Sequence, residues 1–318
     1  MTERNHAIVF GAAGLLGWAT VDQLLSNYPT EGSFDKFTVV INRPLSEIEF
    51  FWPKESASRP SLQIVSGVNL NSTTEDLTRQ LEDRVQGVKN VTHVFYFVFN
   101  QVADDHIREC EVNCGIMQRV VDSLTSLSSN LKSFVYPGGT RYLSLYAYNH
   151  GVNDKSETPV EVPFPGNEGG YKSLFTPVSS RVLGRIAVHV SLNGEKCDAK
   201  IINMADSATP TSFSQIWPDL AGWFGLKGVG PTGDEKALKP GEYVQKNKHL
   251  FEREGFSKAV VAGVGGGSSQ LDSVGYWLSF DRQLSLERLR VVGFTEERDP
   301  VEGWLEAFEK FRQAGIIM

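Results

Sequence analysis

Three glycines near the start of the chain have the spacing of a phosphate-binding loop. Gly11, Gly14 and Gly17 follow a short apolar stretch and open a stretch with helical apolar spacing. In such loops the first glycine permits a tight turn, the second lets the backbone approach a pyrophosphate, and the third lets a helix pack closely on a strand. The alternative is a tight turn of the same fold that binds nothing. We predict a dinucleotide site whose contacts come from Gly11, Ala13, Gly14, Leu15, Leu16 and Gly17.

The end of the second predicted strand bears on which dinucleotide is bound. An NAD site has Asp or Glu there, which accepts hydrogen bonds from the ribose hydroxyls. This chain has Asn42 and Arg43, and a guanidinium group pairs with a 2′-phosphate and stacks on adenine. The residue types therefore favour NADP(H) over NAD, although Arg43 is alternatively a solvated loop charge. Further cofactor contacts are predicted at Asn69 and Leu70, after the third strand, and at Val98, near the end of the fourth.

The elements that position these residues alternate between strand and helix. Apolar stretches predict strands at 7–10, 37–41, 62–65, 92–99 and 134–136. Helical spacing predicts helices at 18–25 and 102–126. A capping box at Ser72–Glu75 predicts the start of a helix that ends near Leu81, because its hydroxyl and carboxylate satisfy two free amides. Repeated βαβ units of this kind indicate an α/β fold with a doubly wound parallel sheet, which is Rossmann-like.

Composition excludes several classes of protein. The 318 residues carry 31 Lys and Arg against 38 Asp and Glu, a formal net charge of −7, which argues against nucleic-acid binding. No apolar run reaches the roughly 18–20 residues that cross a bilayer. The polar start MTERNH predicts no secretory signal, and three cysteines without a framework spacing predict no disulfides. We expect a cytoplasmic protein without nucleic-acid or membrane partners.

The length fits one large domain or two coupled ones. We predict an NADP-binding domain at 1–141 and a smaller, mostly helical substrate subdomain at 142–318, with elements that return to the sheet. Within the latter, the patterns predict a helix at 177–192, a strand at 199–203 and a final helix at 301–312. The expected partner is a small-molecule substrate. A homodimer is one possible assembly of the chain.

One row of metal-ligating residue types is present. His106, Cys110 and Cys114 follow one another at intervals of four on a predicted helix. Such a row has poor tetrahedral geometry for a metal ion, and buried helix residues explain it better. We therefore predict no metal site.

Five segments together resemble one enzyme family. They are GAAGLLGWA, VTHVFYFVF, EVNCGIMQRVVDSL, NMADSATPTSFSQIWPDLAGWFGLKGVGP and FDRQLSLERLRVVGFTEE. The combination is similar to the progesterone 5-beta-reductase/iridoid synthase-like branch of the extended short-chain dehydrogenases, and most like its fungal members. The resemblance runs from about residue 7 to 317. It implies an NADPH-dependent reductase of activated carbon–carbon double bonds, with a small apolar substrate under the C-terminal subdomain.

The sequence departs from that family where its catalytic residues are expected. The family has a lysine after the fifth strand, a catalytic tyrosine on the next helix and a sixth strand beside the nicotinamide. Here the fifth strand runs directly into Arg141, Tyr142 and Tyr146, in a stretch that resembles a later helix of the family, and no YxxxK occurs in the chain. The pattern indicates an internal deletion. Arg141, Tyr142 and Tyr146 are the candidate catalytic residues, and packing residues or a solvated charge are the alternative.

Three functions stay open on this reasoning. The first is an NADPH-dependent oxidoreductase that reduces an activated double bond or carbonyl of a small terpenoid- or polyketide-like metabolite. Conjugate hydride transfer suffers less from the absent tyrosine, because an enolate needs mainly electrostatic support. The second is a non-redox isomerase or cyclase on the same fold. The third is a non-catalytic dinucleotide-binding protein, and an exon lost from the gene model also explains the deletion.

Overall fold

The structure is a computed structural model that describes residues 5–54, 56–102, 105–137, 159–234, 238–253, 255 and 271–317. The chain divides into two compact units. The first unit comprises Met1–Gly139, Ser180–Ile202 and Arg288–Phe294. The second unit comprises Thr140–Ser179, Asn203–Glu287 and Thr295–Met318.

The first unit contains a five-stranded parallel sheet. Its strands are β1 His6–Phe10, β2 Lys36–Ile41, β3 Ser61–Ser66, β4 His93–Tyr96 and β5 Ser133–Val135. They lie in the order β3-β2-β1-β4-β5, and every neighbouring pair is parallel. From β1 the chain adds β2 and then β3 on one side. It then crosses to the other side of β1, where it adds β4 and then β5. The predicted α/β class and doubly wound parallel sheet are therefore confirmed.

Helices of both units follow in chain order. They are α1 Leu15–Leu25, α2 Thr74–Arg84, α3 His106–Leu127, α4 Glu168–Lys172, α5 Ser180–Leu192, α6 Gly194–Cys197, α7 Phe213–Trp223, α8 Pro240–Arg253, α9 Glu287–Val291 and α10 Pro300–Gln313. A short 3-10 helix covers Glu47–Phe50, and a π-helical turn covers Ser273–Trp277.

Two hydrophobic layers cover the two faces of the sheet. Successive side chains of a strand point to opposite faces, so Ala7 and Val9 pack on one layer while Ile8 and Phe10 pack on the other. The first layer is completed by α1 and α5, and the second by α2 and α3. Strands β1, β2 and β4 are almost entirely buried on both faces, which explains why their sequences are largely apolar.

Helix α5 approaches α1 very closely at one point. Gly184 is buried, and a methyl group at its Cα would lie 2.4 Å from the carbonyl oxygen of Ala19. Arg185, the next residue, donates from Nε to the side-chain oxygen of Gln23 at 3.0 Å. The absence of a side chain at 184 therefore sets the distance between the two helices.

The connection from β2 to β3 is anchored on α1. The indole of Trp18 donates to the carbonyl oxygen of Phe50 at 2.7 Å, and the Phe50 and Trp52 rings stack with centroids 4.0 Å apart. Arg59 and Glu47 form an ion pair at 2.6 Å in which the arginine side chain is only 6% exposed. These contacts give this long connection a fixed conformation without a full α-helix.

Two sequence-based details are corrected by the structure. The predicted capping box at Ser72–Glu75 is one residue out of register: the Ser72 hydroxyl donates to the carbonyl of Asn69, and Thr73 caps α2 by accepting from the Asp76 amide. The predicted strand at 199–203 is absent from the described residues. Ala199 has a left-handed φ of 53° after α6, and Ile201 is 79% exposed, so this segment runs over the surface.

The second unit has a two-stranded parallel sheet and an aromatic core. Strands β6 Glu161–Pro163 and β7 Lys227–Val229 pair in parallel. Buried and half-buried aromatic rings fill the space beside them and enclose a cavity of about 40 Å³, lined among others by Phe164, Phe213, Trp217, Trp304 and Phe308. That volume exceeds a single water site and is too small for a ring system.

A buried carboxylate connects three segments of the second unit. Asp206 accepts from the amide and the hydroxyl of Ser179 at 2.8 and 2.7 Å, and its carbonyl accepts from the Arg298 amide at 2.8 Å. Burial raises the pKa of Asp206, while the two Ser179 hydrogen bonds act in the opposite direction. The network holds the segment before α5 and the segment before α10 to the chain between α6 and α7.

We predict that Gly184→Ala destabilises the first unit. The new methyl group meets backbone at 2.4 Å, which only a shift of α5 relieves, and overpacking of this kind costs about 1–3 kcal/mol. Thermal and urea unfolding measure the loss. Gly115→Ala in α3 is the matched control, because its methyl group meets only the side-chain end of Arg119, at 3.3 Å, and no backbone atom. Equal stability of the two variants would show that the α1–α5 distance is not set at Gly184.

Candidate functional site

The turn between β1 and α1 is closed by contacts that only glycine permits. Gly11 has a φ of 78°, and a methyl group there would lie 2.7 Å from the carbonyl oxygen of Phe97. At Gly17 a methyl group would lie 2.4 Å from the carbonyl oxygen of Gly11 and 2.8 Å from Cα of Ala12. These two glycines therefore make the turn compact and seat α1 directly on it.

Gly14 occupies a different environment from the other two glycines. It is the N-cap residue of α1 with φ −87° and ψ 161°, and its nearest neighbour for an added methyl group is the Gly11 carbonyl oxygen at 3.4 Å. Ala13, Gly14 and Leu15 are exposed. The structure itself does not require glycine at 14, so the open space in front of this backbone fits an external group.

The start of α1 fits an anion in particular. The amides of its first turn have no acceptor within the helix, and they carry the positive end of the helix dipole. The first turn contains no acidic residue, and no side chain caps Gly14. A pyrophosphate placed here accepts hydrogen bonds from backbone amides without displacing a protein group.

Asn42 and Arg43 follow β2 directly and are both exposed. The nearby Glu49 carboxylate accepts from the amide and the hydroxyl of Ser46, each at 2.7 Å. These hydrogen bonds lower the pKa of Glu49, and the positive charge of Arg43 acts in the same direction. Arg43 thus has an acidic neighbour, and an anion that binds Arg43 competes with that carboxylate.

The segment after β3 is held in a fixed turn. The side-chain oxygen of Asn69 accepts from the Asn71 amide at 3.0 Å, and the Asn69 amide donates to the side chain of Gln80 at 2.9 Å. The carbonyl of Leu70 accepts from Nε of Arg119 at 3.1 Å. Because its oxygen is engaged, the Asn69 side chain offers its NH2 group as the donor to a ligand.

The predicted cofactor residues meet at one edge of the sheet. The glycine loop, Arg43 and Asn69 follow β1, β2 and β3, and half-buried Val98 lies two residues beyond β4. Because these strands are adjacent and parallel, their carboxyl ends lie at the same edge, which is where open α/β sheets bind ligands. The predicted catalytic residues Arg141, Tyr142 and Tyr146 lie outside the described residues.

Sequence reasoning missed two arginines that shape this edge. Arg84, in the last turn of α2, donates to the carbonyls of Ser66 and Gly67, and Arg119 of α3 donates to Leu70. Arg119 could have been found from its helical spacing to Val112 and Gly115, because that spacing places the three residues on one face of α3. In the structure all three line one concave surface. Nothing in the local sequence marks Arg84.

Tyr96 was also missed, and its environment limits what it can do. The side chain lies in the core layer of α2 and α3, and its hydroxyl has no hydrogen-bond partner among the described residues. Burial raises the pKa of Tyr96 to about 12. A general acid needs a pKa nearer the working pH, so this tyrosine is a poor substitute for a catalytic one.

Neither a metal centre nor a membrane-spanning helix is present in the part of the chain that the structure describes. That part holds no group of three or more His, Cys, Asp or Glu side chains arranged to bind a metal ion. Its helices are all too short or too polar to cross a membrane.

Comparisons with known proteins agree with this architecture. The short chain dehydrogenase sirQ of Leptosphaeria maculans is 23% identical, over 98% of this chain and 97% of that protein. The short chain dehydrogenase ausT of Aspergillus calidoustus is also 23% identical, over 98% and 94%. The structure of Gre2 from Candida albicans in complex with NADPH superimposes with a TM-score of 0.52 at 11% identity, covering 98% of this chain and 99% of that one. The last likeness concerns the fold.

A family profile covers nearly the whole chain in two overlapping stretches. The PRISE-like Rossmann-fold domain matches residues 7–159 and 141–318. The first stretch contains the glycine loop and the five strands of the parallel sheet except His6, and the second contains the aromatic core of the other unit. The chain therefore belongs to the PRISE-like Rossmann-fold family.

Proposed function

We propose that this protein is an NADP(H)-dependent oxidoreductase of the short-chain dehydrogenase type. The observation that carries the proposal is the open space in front of Gly14, between a glycine turn and the free amides of α1. The NADPH in the Gre2 complex and the names of the fungal relatives support it. The preference for NADP(H) rests on Arg43, which follows β2 where NAD sites have a carboxylate.

Each part of the cofactor has a counterpart in this chain. The amides at the start of α1 hold the pyrophosphate, Arg43 pairs with the 2′-phosphate, and Asn69 donates to the adenine. When bound, NADPH supplies a hydride. The proposed substrate is a small apolar metabolite with an activated double bond or a carbonyl, whose developing negative charge needs electrostatic support. We assign that support to Arg141 and the proton donor to Tyr142 or Tyr146.

A second candidate function is NADP(H) binding without catalysis. The chain contains no YxxxK, and its alignment with sirQ spans 388 positions, more than the 318 residues present here. Stretches of the relative therefore have no counterpart in this chain, which is what the proposed internal deletion requires. This function needs only the glycine loop and Arg43.

We expect Gly14→Val to abolish tight binding of both NADPH and NADH. The backbone at Gly14 has an extended conformation that valine adopts freely, so the fold is kept and the melting temperature changes little. The isopropyl group then occupies the space for the pyrophosphate, and affinity falls at least about tenfold for both coenzymes. Calorimetric titration measures this. Unchanged affinities for NADPH and NADH in a folded variant would show that the glycine loop does not bind the coenzyme.

Arg43→Ala is expected to weaken NADPH and to leave NADH almost unaffected. A charge-assisted hydrogen bond contributes about 1.5–3 kcal/mol, which corresponds to roughly 10–150-fold in affinity for NADPH. Arg79→Ala is the control, because Arg79 is an exposed arginine of α2 that pairs only with Asp76 among the described contacts. Equal losses for the two coenzymes would contradict the proposed role of Arg43.

Turnover separates the two candidate functions. We expect loss of nicotinamide absorbance when the protein and NADPH are mixed with a panel of α,β-unsaturated aldehydes and ketones. Tyr142→Phe and Tyr146→Phe are compared. The variant that lacks the proton donor is expected to have a kcat about 10²-fold lower, with unchanged NADPH affinity. Tight NADPH binding with no turnover across the panel would instead support the non-catalytic function.

A further inference from the structure

Two thiols lie close together on the surface of α3. Cys110 and Cys114 are one helical turn apart, their Sγ atoms are 3.8 Å from each other, and both are exposed. The interpretation of Cys110 and Cys114 as buried helix residues is therefore wrong. The remaining cysteine, Cys197, is buried.

The pair occupies a flank of α3 that takes no part in the core. Ile116, Val120 and Leu124 of α3 face the sheet. Arg119 and Ser123 face the other way from the pair and donate to the carbonyls of Leu70 and Thr74. A reagent thus reaches both sulfur atoms without opening the hydrophobic layer and without touching the segment after β3.

Helix geometry disfavours a direct bond between the two sulfur atoms. Residues four apart on a helix have Cβ atoms about 5–6 Å apart, whereas a disulfide needs a Cβ separation of about 3.5–4.5 Å. Closing the sulfur distance from 3.8 Å to about 2.05 Å requires α3 to unwind locally. The pair is therefore predisposed to remain a dithiol.

A bridge through one additional atom fits the same geometry without distortion. Two bonds of about 2.3 Å that meet at roughly 100–110° place two sulfur atoms about 3.5–3.8 Å apart, close to the observed separation of 3.8 Å. The two thiols share a hydrogen bond, which raises the pKa of Cys110, and the charge of Glu111 acts in the same direction. An electrophile that accepts neutral thiols and carries no negative charge suits this surface.

We propose that Cys110 and Cys114 form a modification site for trivalent arsenicals, in which one arsenic atom bridges both sulfur atoms. With an arsenoxide, two arsenic–sulfur bonds form while both S–H bonds and the arsenic–oxygen bond break. The oxygen leaves with the two thiol protons as water, and no atom is oxidised or reduced. The proposal does not depend on cofactor binding.

Phenylarsine oxide tests the site on the full-length reduced protein. The protein is treated in excess glutathione, desalted and weighed by intact-mass spectrometry. One adduct is expected in the wild type, because two linked thiols compete far better than a free monothiol. The adducted fraction falls at least about tenfold in both Cys110→Ser and Cys114→Ser, it is retained in Cys197→Ser, and dimercaptopropanol removes it.

Absence of the adduct in the wild type, or its persistence in either single variant, would overturn the proposal. Circular dichroism verifies that the variants keep their helices, which is expected because both positions are exposed. The adduct is scored by mass in the absence of coenzyme, and NADPH titration is made separately on the unmodified protein. The outcome at the dithiol and the outcome at the coenzyme site are therefore distinguishable.

Discussion

The close approach of three backbone segments at Gly11 is the constraint on which the first unit depends. The turn after β1 lies against the carbonyl of Phe97, which follows β4. The first turn of α1 packs directly on this turn at Gly17. No side chain fits at either contact. The central strand, its neighbour and the first helix are thereby fixed relative to one another, and the free amides of α1 are held at the edge of the sheet where the other strands end. The candidate site is a consequence of this packing.

The three glycines of the loop differ in what they contribute. Gly11 and Gly17 are required by the fold, because an added methyl group would collide with backbone. Gly14 is not, since its surroundings are open. A sequence pattern gives all three the same weight, and only the structure separates the glycines that hold the turn from the glycine that leaves room for a ligand.

Much of the first unit was predictable because local signals determine it. An apolar run is enough to predict that Ala7, Ile8, Val9 and Phe10 alternate between two buried layers. The order of strands and helices follows from the turn-forming residues between such runs. What the sequence could not supply depends on contacts between distant segments. Gly184 lies in an ordinary helical stretch, yet its contact with Ala19 sets the packing of α5. The apolar pattern at 199–203 predicts a strand, but Ala199 has a left-handed backbone conformation and the segment pairs with no strand of the described residues.

The contact of Trp18 with Phe50 and Trp52 also has an optical consequence. The chain has six tryptophans, and the first unit holds only Trp18 and Trp52, while the other four belong to the second unit. Trp18 lies on α1, the helix that follows the glycine loop, and Trp52 lies on the connection between β2 and β3. The emission of those two indoles therefore reports on the anchoring of the β2–β3 connection to α1.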